Sequence, residues 1–154
     1  MAPPAATSLR PTWRDTTNTA TPTAGGPAAP AGRHHPDTPT PDPLDDKLWG
    51  LQMINADRAH TVTGGSRKVS VGILDTGVDA SNPDIAEHFS TSLSRNFAKD
   101  LVDVDGPCEV ASCLDPVGTD DNGHGTHVAG TIGAAANGVG VTGIAPEVTL
   151  VELK

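Results

Sequence analysis

Two residues in this chain have the chemistry of a proton relay: Asp75, in "KVSVGILDTG", and His124, in "TDDNGHGTHVAGTIG". An imidazole can take a proton from a hydroxyl near neutral pH. It does so best when its second nitrogen is held by an acceptor, and a carboxylate there also stabilises the imidazolium as it forms. Asp75 closes an apolar run, and His124 opens a run of small residues. His124 and His127 invite a metal reading too, because residues three apart share a helix face. The zinc-peptidase pattern, however, sets its histidines four apart with a Glu between them. Here Gly125 and Thr126 intervene, so His127 is expected to pack in the core as a hydrogen-bonded residue.

These side chains need elements to position them. "LWGLQMINADRAHTVTGG" carries Leu48, Leu51, Ile54 and Ala59 at roughly helical spacing, stopped by Gly64 and Gly65. The apolar run from Val69 to Leu74 predicts a strand buried on both faces, as in a parallel sheet covered by helices. Working residues of such sheets gather at the carboxyl ends of strands, which is where Asp75 falls. A short strand is expected around "SRNFA", a helix over 124–136, and a further strand in "EVTLVELK". Gly125, Gly130 and Gly133 each cost the helix about 1 kcal/mol relative to Ala, so they predict close approach of its backbone to the sheet. The alternation of strand and helix makes this an α/β protein with a mainly parallel sheet.

Composition limits what surrounds this core. Residues 1–43 are rich in Pro, Ala and Thr with hardly a large apolar side chain, which predicts a disordered leader or linker. The folded part is then expected over 44–154. A net charge of −9 and the lack of any basic patch argue against nucleic acid as a partner. No run is long and apolar enough to span a membrane, and the N-terminus lacks the pattern of a signal peptide. Between Asp100 and Asp121 seven acidic residues meet no Lys or Arg, which reads as a solvated acidic loop or, more sharply, a cation site. Cys108 and Cys113, in "CEVASC", can close a small disulfide ring in an oxidising compartment.

"VGILDTGVDASNPDI" and "NGHGTHVAGTIGAAANGVGVTGIAP" resemble the aspartate and histidine segments of the subtilisin-like serine proteases, over about Leu44 to Lys154. The resemblance implies a three-layer fold, a mainly parallel sheet flanked by helices, and an Asp–His–Ser triad acting on polypeptides. By position, Asp75 is then the residue that orients the histidine and His124 the general base. Asp120 falls where the family lines part of the substrate cleft. "NGVGV" is similar to a loop that holds structural calcium in many members, which makes Asp84, Asn137, Val139, Val141 and Asp45 the implied ligands. No organic cofactor is implied. An extracellular setting is.

The pattern is incomplete. No segment resembles the family's glycine-rich "GTSMA" turn with its nucleophilic serine, and the asparagine of the oxyanion hole is also missing. Ser66, Ser70, Ser81, Ser94 and Ser112 stand in other contexts. The 154 residues alone are therefore expected to be inactive: a fragment of an endopeptidase. The alternative is a truncated, non-catalytic relative that binds calcium or a partner.

Overall fold

The computed structural model describes residues 41–154. Of the expected disordered leader, residues 1–40 lie outside the described residues. The folded part starts earlier than composition suggested, because Asp42 is buried at 5% exposure and accepts hydrogen bonds from Asn137 and Gly138 N–H.

A short 3-10 turn at Asp45–Lys47 leads into α1 (Trp49–Met53) and α2 (Ala56–His60). The helical periodicity predicted one element. Asn55 breaks it in two by adopting a left-handed backbone, φ 57°, a conformation Asn tolerates better than most residues. Strand β1 (Ser70–Ile73) then pairs in parallel with β2 (Thr149–Glu152), Val71 opposite Leu150 and Ile73 opposite Glu152. Between them come α3 (Pro83–Ala86), α4 (Val102–Asp105) and α5 (His124–Gly133). Asn82 caps α3 by accepting from Asp84 N–H, with Pro83 in the first helical position, where a missing N–H costs nothing.

The strand expected around "SRNFA" is not a regular one. That chain segment runs parallel to β2 on the side away from β1, bonding intermittently: Ser90 N–H to Leu150 O, Leu150 N–H to His88 O, and Arg95 N–H to Glu152 O. Only bridges at Phe89 and Arg95 are ladder-like. β2 thus has a neighbour on each edge.

The core is Ile73, Val78, Ile85, Ala129, Val148 and Leu150, joined by Val71, Phe89, Val128, Ile132 and Ala145. Burying Ile85 and Leu150 fully is worth about 1.5–3 kcal/mol each. β1 is not covered on both faces as its apolar run predicted. Ile73 is buried, whereas Val69 and Leu74, which flank the paired residues Ser70–Ile73, are 52% and 78% exposed. The glycines of α5 also divide. A Cβ on Gly133 would meet Leu150 and Val148 side chains at 3.0 and 3.1 Å, but one on Gly130 would meet nothing within 4 Å.

Candidate functional site

The chain leaves β1 and turns through Asp75, Thr76 and Gly77 across the start of α5. Gly77 (φ 129°) forms an antiparallel bridge with Asp120. The two elements approach so closely that a Cβ on Gly125 would lie 2.0 Å from the Gly77 carbonyl oxygen. The residue following His124 therefore has to be glycine for the strand end and helix start to meet.

Their meeting places His124 Nδ1 2.7 Å from Asp75 Oδ1, across 49 residues of sequence. The same carboxylate oxygen accepts Thr76 N–H at 2.8 Å. The hydrogen bond from His124 and then that of Thr76 hold the Asp75 carboxyl below its ordinary 3.8, against the opposing effect of burial. An ionised carboxylate only accepts, so Nδ1 carries the hydrogen, and in the neutral ring the lone pair is then on Nε2. The Asp75 side chain is 16% exposed and that of His124 64%. The acid is sheltered and the base is open.

Asp120, expected to line a cleft, turns inward instead. Its two oxygens accept hydrogen bonds from Thr76, Asn122, Gly123 and Thr126. Burial works to raise its carboxyl, but the bonds from Thr126, Gly123 and Thr76 outweigh it and leave it lowered. His127, expected in the core, is exposed and lines a concavity of about 450 Å³ with Leu48, Ile85 and Gly130.

The loop 137–142 wraps around three carboxylates. Asp84 Oδ2 accepts Val141 N–H at 3.0 Å. Asp45 spends one oxygen on Thr142 N–H and the other on Asp42 N–H, while Asp42 takes the N–H groups of Asn137 and Gly138. Asn137 Oδ1 accepts Val139 N–H, and its amide donates to Pro83 O. Asp84 Oδ1 is left buried without a partner. A Cβ on Gly140 would lie 2.7 Å from it, so that glycine keeps the space beside it open. Hard cations such as calcium take this kind of oxygen donor, and the residues fit one. Sequence reasoning missed Asp42; the only local signal was an Asp between two prolines.

A second acidic group forms elsewhere. Among the described residues, Asp100, Glu109, Asp115 and Asp121 are the one set of acidic, His or Cys side chains close enough to share a metal ion. Lys154 sets its ammonium against three of them, Asp100, Asp115 and Asp121, with its side chain only 11% exposed. Burial opposes the charge of Lys154, but the bonds to Asp115 and Asp100 prevail and raise it. The ammonium is itself the cation of this cluster. Cys108 and Cys113 are joined in a disulfide within the same loop.

With that geometry established, comparison with known proteins is specific. The Subtilase family profile matches residues 66–154, more than half of the chain. An intracellular serine protease of Paenibacillus polymyxa is 43% identical over 105 residues, 68% of this chain and 28% of that protein. Subtilisin DY of Bacillus licheniformis is 37% identical over 106 residues, covering 69% and 32%. Among solved structures, the serine protease of Aeromonas sobria superposes with a TM-score of 0.53 at 28% identity, over 85% of this chain and 23% of that one. Fervidolysin from Fervidobacterium pennivorans gives 0.50 at 29%, over 73% and 15%. The chain belongs to the subtilase family and has a subtilisin-like fold, a parallel sheet with helices. It spans about a third or less of the length of these relatives.

Proposed function

We propose that the chain carries the aspartate–histidine half of a serine-type endopeptidase active on polypeptides. The observation that carries this reading is the 2.7 Å bond between Asp75 Oδ1 and His124 Nδ1, with the His124 side chain exposed. In the reaction, Nε2 takes the proton of the nucleophilic serine's hydroxyl and then gives it to the leaving amine. Asp75 holds the ring in the tautomer that leaves Nε2 basic, and its charge offsets the imidazolium. A non-catalytic binding protein would have no use for this pair, which favours the enzyme.

A calcium ion at the 137–142 loop is part of the proposal. Asp84, Asn137 and the backbone oxygens of Val139 and Val141 would hold it, supported by the unpartnered Asp84 Oδ1. Bound there, it neutralises Asp84 and fastens the loop, with no part in bond breaking. Asp45 serves the loop by accepting Thr142 N–H. Calcium should raise the melting temperature of the chain, and Asp84→Asn should abolish that rise. The disulfide supports an oxidising setting outside the cytosol.

The experiment is a gain of function. The 154-residue chain alone should hydrolyse no peptide substrate above background. Residues 41–154 joined to the C-terminal remainder of subtilisin DY should hydrolyse it. Cleavage by the chain alone, or a folded but inactive chimera, would count against the reading.

A further inference from the structure

We infer that Asp120 is a positioning residue for the Asp75–His124 pair, which rests on the reading of that pair given above. Its Oδ1 accepts Thr76 Oγ1–H at 2.8 Å, Gly123 N–H at 3.0 Å and Asn122 N–H at 3.2 Å. Its Oδ2 accepts Thr126 N–H at 2.9 Å and the Thr126 hydroxyl. A carboxylate offers about four lone-pair directions. Five internal donors already saturate them, so nothing is left to recognise a substrate N–H.

What the donors share is their place. Thr76 follows Asp75, and Gly123 precedes His124. Each threonine hydroxyl passes the bond on: Thr76 Oγ1 accepts Gly125 N–H at 3.0 Å, and Thr126 Oγ1 accepts Asp79 N–H at 2.9 Å. One half-buried carboxylate thus ties the residue after the acid to the residues on both sides of the base. It also caps α5 by accepting Thr126 N–H in the first turn, where Gly123 itself has no side chain to do so. Asparagine is nearly isosteric but cannot replace it, because its NH₂ would face a donor wherever it pointed. The geometry therefore uses the charge of Asp120 as an acceptor of neutral donors and transmits its position to His124.

The test is nuclear magnetic resonance of the ¹⁵N-labelled 154-residue chain, reading the far-downfield proton on His124 Nδ1 beside the amide spectrum. In the unsubstituted chain the line should be present, and Asp75→Asn should remove it. If either fails, the pair itself is wrong. Asp120→Asn should remove or broaden the line while amides of the sheet core, such as Leu150, stay in place. A line that survives Asp120→Asn but not Asp75→Asn would overturn the inference and leave the pair standing. Should Asp120→Asn unfold the chain, Thr126→Val decides, since it deletes one hydroxyl at nearly constant shape. A weakened line with an intact amide spectrum supports the inference, and an unaltered line overturns it.

Discussion

At the start of α5, Asp75 and Asp120 are surrounded by N–H groups, hydroxyls and one imidazole, and both carboxyls are lowered by those hydrogen bonds. In the cluster of Asp100, Asp115 and Asp121 the carboxylates instead face one another and Lys154. There Asp115 is lowered by its bond to Lys154, whereas Asp121 is raised, first by burial and then by Asp115. Asp100 Oδ2 and Asp115 Oδ1 stay buried with no partner. Neutral donors can be supplied singly, one per lone pair, so each oxygen at the helix start is matched in place. A single ammonium shared among three acids fixes charge but leaves oxygens unmatched. The first arrangement suits a site whose geometry matters. The second suits a clamp, here one that fastens the loop to the end of β2 beside the disulfide.

The contrast can be broken most sharply at Lys154. Lys154→Met should leave Asp100 and Asp115, with side chains 3% and 1% exposed, uncompensated. Removing one member of such a buried pair costs about 3–5 kcal/mol, measurable by urea denaturation. A loss under 1 kcal/mol would mean the cluster is solvated. Opening the Cys108–Cys113 bridge with Cys108→Ser and Cys113→Ser should cost less, about 2 kcal/mol for so short a loop. Asp120→Ala removes a helix cap and should cost about 1–2 kcal/mol. For a lowered acid the sign is fixed: its stabilisation is complete above 3.8 and disappears as pH falls through the lower folded value. The gap between Asp120→Ala and the unsubstituted chain should accordingly close in acid, as melting curves across pH 2–6 would reveal.

The smallest effect is expected at Glu152, which is fully buried with Oε2 on Gly118 N–H and Oε1 unpartnered. Burial raises its carboxyl above 4.5. A raised acid favours the fold most at low pH and loses that benefit as pH climbs through the folded value. Glu152→Gln should therefore lose less stability than the parent between pH 4 and 7. An equal loss in both would show that Gly118 and Lys154 already compensate the charge.

The sequence made Asp75, His124, the α/β alternation and the small-residue helix legible, because each depends on local pattern: a strand end, a helix start, a run of glycines. The role of Asp120 was not legible, since its donors Thr76 and Thr126 come together only when the strand end meets the helix. Asp42 was hidden by the proline-rich composition around it. The clamp needed Lys154, which is 39 residues from Asp115 and 54 from Asp100. The apolar run of β1 predicted burial on both faces, yet run length says nothing of how many layers cover a strand. The partner of β2 at 88–97 was legible only as a short strand around "SRNFA"; its earlier start near His88 and its intermittent bonding were not.

The central claim is that Asp75 acts through His124, and a double-mutant cycle in the subtilisin DY chimera tests it most directly. His124→Ala alone should lower kcat by about 10⁶-fold, and Asp75→Asn alone by about 10⁴-fold, the sizes seen when the same residues are removed from serine-protease triads. With His124 already gone, Asp75→Asn should cost almost nothing more, because a residue that acts only by holding the imidazole has nothing left to hold. Losses that multiply in the double variant would contradict the account and give Asp75 a role of its own.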